Sequence, residues 1–147
     1  ANTPLTAGDH PRLMDEFDQA IDAFLTEMVA SGNIDRVVVM TYSEFGRRVA
    51  ENGSRGTDHG AANCSFAFGA VAPGVYGGQP SLTDLISGSV KHNVDFRAVY
   101  ARALEGLFGV NGAAIFGQAA YDAVIAPDMA KVPYIAVPVT SSHLRVY

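Results

Sequence analysis

Leu13, Phe17, Ile21, Phe24 and Met28 recur at steps of three and four, and soon afterwards the chain enters an unbroken apolar run, Val37-Val38-Val39-Met40. No other feature constrains the fold as much. Met14, Leu25 and Val29 widen the first pattern, which predicts an amphipathic helix over about 11–31 with its apolar face buried. Asp9 suits its cap and Pro11 its first turn. Asp15, Glu16 and Asp18 favour the positive end of the helix dipole, and Gly32 supplies a left-handed stop. Consecutive rather than alternating apolar residues suit a strand covered on both faces, as in a parallel sheet. A long helix feeding such a strand is half of an α/β unit, so the expectation is an α/β fold with a few mostly parallel strands.

The chain has 147 residues, 48% hydrophobic and 17% charged, which predicts a single unit over 1–147 with enough apolar material for a core. Ten basic against fifteen acidic residues give a formal charge of −5, which argues against nucleic acid as a partner. Cys64 is the sole cysteine, so no internal disulfide is expected and the compartment stays open. No apolar run approaches the roughly 18–20 residues of a membrane span. No signal peptide is evident, and the chain begins at Ala1 without an initiator Met, which points to removal of something upstream.

Residues 1–9 read as a lead-in without apolar period. After the apolar run, 43–60 is rich in Gly, Arg, Asn and Ser and reads as a long polar loop at a strand's carboxyl end, where ligands bind in open α/β sheets. The stretch 64–71 reads as a second buried strand containing Cys64, and 74–78 as a turn. Ser81 with Asp84 resembles a capping box opening a helical turn over 82–86. Asn93 or Asp95 caps a second long helix with Phe96, Val99, Tyr100, Leu104, Leu107 and Phe108 as its buried stripe and Gly109 as its end. Beyond Asn111 the pattern weakens. The Ala-rich stretch 113–126 suits a helix, and 132–139, broken by Pro133 and Pro138, suits an edge strand or an extended tail.

Chemistry-bearing side chains concentrate in 43–60: Glu44, Arg47, Arg48, Arg55, Asp58 and His59 among four glycines. Gly56 and Gly60 flank Asp58-His59 and let the backbone approach a ligand closely. Oxygen plus imidazole suits zinc, manganese or iron, and arginines suit a tetrahedral oxyanion, which they hold bidentately. Plainer roles fit the same residues. Asp58-His59 also suits an exposed turn, Glu44 a cap or a salt bridge, the arginines a solvated face, and Asn52-Gly53 a turn whatever else happens. His92 precedes a helix cap within reach of a sheet edge, His10 sits at a helix start, and His143 lies in the tail. There is no G-x-S-x-G elbow, phosphate-binding loop or dinucleotide fingerprint, and Cys64 reads as core rather than nucleophile.

The blocks VVVMTYSEFGRRVAENGS, GTDHG, VYGGQPSL and VDFRAVYARALEGLFG, with the helix LMDEFDQAIDAFLTEM before them, resemble a bacterial family of unknown function. That family is often exported by a twin-arginine signal and lies within the alkaline phosphatase and sulfatase superfamily. The resemblance covers about two-thirds of the chain, chiefly 10–110, and leaves 111–147 unassigned. It implies an αβα sandwich of which this chain is the carboxyl-terminal half. It also implies a divalent metal (zinc, manganese or calcium) and metal-dependent hydrolysis of a phosphate or sulfate ester. On the preferred alignment Glu44 matches the carboxylate after the buried strand and His59 the later histidine, with Asp58 beside it. On the other, Asp58 and His59 are the ligand pair and His92 the later histidine. Arg47 and Arg55 would stabilise the ester's oxyanion. A periplasmic or secreted location would follow. The superfamily's nucleophile and an Asp-Thr-His motif lie upstream of the first helix, and Asp9-His10 is not that motif, so the expectation is a chain completed by an upstream half. Two other readings stand beside this one: a non-catalytic module that pairs with a partner or with itself, and carboxyl-ester hydrolysis on the same scaffold.

Overall fold

The computed structural model describes residues 10–135. The amphipathic pattern forms α1 (His10–Ala30), which ends where Gly32 turns left-handed, and a short 3-10 turn (Ile34–Arg36) leads into β1 (Val38–Met40). A hairpin follows, β2 (Gly46–Glu51) and β3 (Thr57–Gly60), and then β4 (Ala67–Gly69). A small hairpin, β5 (Leu85–Ile86) and β6 (Ser89–Val90), precedes α2 (Phe96–Phe108). The remainder is helical: α3 (Gly112–Phe116), α4 (Gln118–Ala120), a π-helical stretch (Tyr121–Ile125) and α5 (Ala126–Met129).

The fold is mixed α/β, but its strands are antiparallel, which corrects the expectation of a mostly parallel sheet. β1 pairs β4 with Val39 opposite Phe68, and a second sheet has the order β3-β2-β6-β5. The reason lies in the connection. Parallel neighbours need a crossover of a dozen or more residues, usually helical. Between Met40 and Ala67 the chain instead makes the β2–β3 hairpin and returns to pair β1 head to tail. The apolar run is only half-buried, short of the fully covered strand that the sequence predicts, although it sits in a sheet with contacts on both faces. Phe17 of α1 lies against Phe66 and Phe68 on one face of this sheet, while Met40 and Ala67 pack with Ala103, Val132 and Tyr134 on the other.

The core gathers around α2. Ala98, Ala101, Ile125 and Met129 form one cluster and Ala103, Val132 and Tyr134 a second. Small residues on α2 let the π-helical stretch and α5 approach closely. Asp95 caps α2 by accepting the Arg97 amide at 2.9 Å, and Gly109 ends it at φ 64°. The stripe of α1, by contrast, is not the buried face the sequence predicts, because Leu13 is 50% exposed and Phe24 41%.

Four local expectations change. On α2 the buried residues are Ala98, Ala101 and Ala103, while Phe96, Tyr100 and Phe108, expected in the buried stripe, are exposed. The stretch 43–60 contains a β-hairpin rather than one long loop. Cys64 is exposed, since β4 begins only at Ala67. Ser81 does accept the Asp84 amide at 2.8 Å, but the chain then enters β5 instead of a helical turn. Asp9, His143 and the end of the 132–139 segment lie outside the described residues. Among those described, no helix is long and apolar enough to cross a membrane.

Candidate oxyanion site on the arginine hairpin

The β2–β3 hairpin organises the residues that the sequence singles out. Gly46 faces Gly60 across the ladder, and neither has room for a side chain: a Cβ on Gly46 would collide with the Ala62 carbonyl, and one on Gly60 with the Arg47 backbone. This close approach brings the next pair, Arg47 and His59, directly opposite one another. Side chains opposite across a ladder share a face of the sheet. Phe45, two residues before Arg47, joins them: its ring stacks on the His59 imidazole at 3.6 Å with planes 17° apart. The Arg47 guanidinium carbon lies 5.3 Å from the centre of that same ring, and its Nη1 donates to the Thr57 carbonyl at 2.8 Å.

The turn is held by one side chain. Asn52 Oδ1 accepts the amides of Ser54 at 2.9 Å and Gly56 at 3.1 Å, while its Nδ2 donates to Asp58 Oδ1 at 3.0 Å. The Asn52 amide also donates to the Gly56 carbonyl, at 2.8 Å. This wrapping forces Arg55 into the left-handed region at φ 60°, uncommon for a residue with a Cβ. Arg47, Arg48, Asn52, Thr57, Asp58 and His59 line an open depression of about 560 Å³.

The hairpin arginines differ from the paired cations elsewhere, while the part-buried Arg102 donates to the Met129 carbonyl at 2.6 Å rather than to a carboxylate. Elsewhere Arg12 pairs with Glu16, Lys91 with Asp84, Arg97 with Asp95 and Lys131 with Asp128. Arg47, Arg48 and Arg55 are exposed and form no ion pair with a carboxylate among the described residues. The Asp58 carboxylate is instead engaged by the Asn52 amide.

The expected metal ligands do not converge. Glu44 is exposed in the β1–β2 connection. His92 stands near the start of α2, where its charge acts on Asp95. Among the described residues no three His, Cys, Asp or Glu side chains form a group able to hold a metal ion, so Glu44, Asp58, His59 and His92 do not fit a divalent-metal centre as they stand. The sequence pattern does not single out Phe45, and it groups Arg48 with the other arginines only as a general oxyanion or solvated-face residue. Once β2 is recognised, the i, i+2 spacing of Phe45 and Arg47 places them on one face.

A second depression, of about 430 Å³, lies between Glu105, Asn111, Gln118 and Tyr121. There Glu105 Oε1 accepts the Gly112 amide at 3.0 Å and the Tyr121 hydroxyl at 2.6 Å, so this carboxylate ties α3 and the π-helical stretch to α2. That hydrogen bond, with burial, raises the Tyr121 pKa above its usual range.

An antiparallel α/β framework carrying an arginine-rich hairpin with an aromatic-stacked histidine is the class that fold and site define. The chain belongs to the family described as Protein of unknown function (DUF1501), whose model matches residues 6–113 and so spans α1, both sheets and α2. No curated protein and no solved structure matches the chain. Membership brings no activity with it and does not link the chain to the alkaline phosphatase and sulfatase superfamily.

Proposed function

We propose that the β2–β3 hairpin binds the oxyanion of a small phosphate or sulfate ester and that the chain takes part in the hydrolysis of that ester. The observation that carries this reading is the set of exposed arginines without carboxylate partners: Arg47 and Arg48 line one depression, and Arg55 stands in the turn beside it. A guanidinium offers planar paired donors that match two oxygens of a tetrahedral anion. Arg47 and His59 face the same side, so they engage adjacent oxygens, and Arg48 and Arg55 add positive potential at the rim. Neutralising the ester in this way lowers the cost of nucleophilic attack, where negative charge builds on the same oxygens.

The residues suggested for a divalent metal do not come together here, so no step is assigned to one. The same observation favours a second reading, in which the hairpin binds the anion without turning it over. Calorimetric titration of the full chain with inorganic phosphate and sulfate at low salt tests binding. An aryl phosphate and aryl sulfate assay, with and without added zinc or manganese, separates the two readings. We expect saturable, salt-sensitive binding that falls at least about tenfold in Arg47→Ala/Arg48→Ala, the scale of one lost charge-assisted hydrogen bond. Absent binding, or binding unchanged in that variant, overturns the proposal.

A further inference from the structure

We infer that Phe45 is the positioning residue of this site, a shared aromatic platform that fixes the His59 imidazole and the Arg47 guanidinium without consuming their donors. The inference builds on the reading of the hairpin as an oxyanion binder. Its independent basis is the geometry of three side chains, Phe45 just before β2 and the opposed pair Arg47 and His59: Phe45 is stacked on His59 at 3.6 Å, and Arg47 lies 5.3 Å from the Phe45 ring centre.

The alternative way to orient a cation is a carboxylate. A carboxylate takes up the N–H donors it orients and cancels the charge that would attract an anion. An aromatic face attracts a cation through its quadrupole and accepts no conventional hydrogen bond in doing so. Stacking holds the imidazole by its face and does not engage the in-plane ring nitrogens. Among the described residues neither nitrogen of His59 has a hydrogen-bond partner. Arg47 spends Nη1 on the Thr57 carbonyl, which fixes its reach along the hairpin, and keeps its other donors. Asp58, the carboxylate adjacent to His59 in sequence, is tied to Asn52. The site therefore presents two oriented donor groups on one ring, and a tetrahedral anion fits such a pair.

The test uses the full-length chain, with Phe45→Leu as the disruptive variant and Phe45→Tyr as the conservative one. Nuclear magnetic resonance of the wild-type protein should give ring-current-shifted His59 and Arg47 side-chain protons with cross-relaxation to the Phe45 ring. In Phe45→Leu both sets should move toward unstructured values, and in Phe45→Tyr they should stay. Sulfate affinity should fall about 2- to 5-fold in Phe45→Leu, the range of an exposed cation–aromatic contact, and return in Phe45→Tyr. Absence of the ring-current shifts in the wild type overturns the inference without any variant. So does a folded Phe45→Leu whose His59 and Arg47 signals are unmoved. If the shifts behave as expected while the wild type binds neither sulfate nor phosphate, the platform stands and the oxyanion reading fails.

Discussion

Arg55 shows most clearly how a single residue is placed against its own preference. The Asn52 side chain captures the amides of Ser54 and Gly56, and the turn this creates holds Arg55 at φ 60°. A left-handed residue with a Cβ is strained by about 1–2 kcal/mol, and asparagine tolerates the region better than most. Arg55→Asn should therefore stabilise the chain by up to about 1 kcal/mol in urea denaturation. The same variant removes one of the unpaired cations, so sulfate affinity should fall while stability rises. If both fall together, Arg55 serves the turn rather than the anion. Opposite signs would mark it as a residue kept for its charge. The two glycines at the base of the hairpin answer a different demand, because Gly46 and Gly60 sit where backbone meets backbone and any side chain collides.

Among the elements, α2 is the one whose ends are written most completely in local chemistry. Asp95 accepts the Arg97 amide at 2.9 Å, is held by the Arg97 side chain at 2.8 Å and 2.9 Å, and gives its own amide to Asp128 at 2.7 Å. The Arg97 hydrogen bond, outweighing burial, lowers the Asp95 pKa below the ordinary carboxylate range. At Asp128 burial pushes upward, but the Lys131 hydrogen bond and the Asp95 amide prevail and the net shift is again downward. A carboxylate lowered on folding stabilises the native state above its unfolded pKa, near pH 4, and loses that contribution as pH falls through the folded value. Asp95→Ala should cost about 1–2 kcal/mol at pH 7, and its stability should decline less steeply than wild type below about pH 4, as followed by helical circular dichroism. These ends were legible in the sequence because a cap is a local event: Asp95 and Gly109 act within one turn. The direction of the sheet was not. Val37-Val38-Val39-Met40 points to apolar contacts on both faces and says nothing about which way the neighbouring strand runs. The hairpin was hidden for a related reason. β2 after Gly46 is exposed and Asp58 and His59 are exposed, so polar residues fill both faces and no alternation marks a strand. Of the residues that the sequence singles out, Arg47, Arg48, Asp58 and His59 line one depression and Arg55 does not. Glu44 and His92 do not line that depression, and their places depend on how distant segments pack.

Across the whole molecule, one buried side chain bridges the parts. Tyr134 is 5% exposed, and its hydroxyl donates to the Val99 carbonyl of α2 at 2.6 Å and lies 3.5 Å from the Met40 sulfur of β1. It therefore touches the two-stranded sheet and the helical core at once, 94 residues beyond Met40 in the sequence. Burial pushes its pKa up to about 12, with Arg102 pulling weakly the other way. In the unfolded chain a tyrosine titrates near pH 10. A group raised on folding contributes its full stability below the unfolded value and loses it as pH climbs through the folded one. The protein should thus lose roughly 2–3 kcal/mol between about pH 10 and pH 12 through this residue alone, because each pH step between the unfolded and folded values is worth about 1.4 kcal/mol. Tyr134→Phe keeps the ring in place and cannot ionise. It should be less stable than wild type by about 1 kcal/mol at pH 8, where the hydroxyl's hydrogen bond is lost. Its alkaline decline should be shallower. Some slope should persist, because Tyr121, raised by its hydrogen bond to Glu105, ionises in the same direction. Equilibrium urea unfolding at closely spaced pH values from about pH 8 to pH 12 reads both effects. Parallel curves for the two proteins would show that Tyr134 is not the alkaline trigger. Converging curves would identify ionisation of Tyr134 as a contributor to alkaline unfolding.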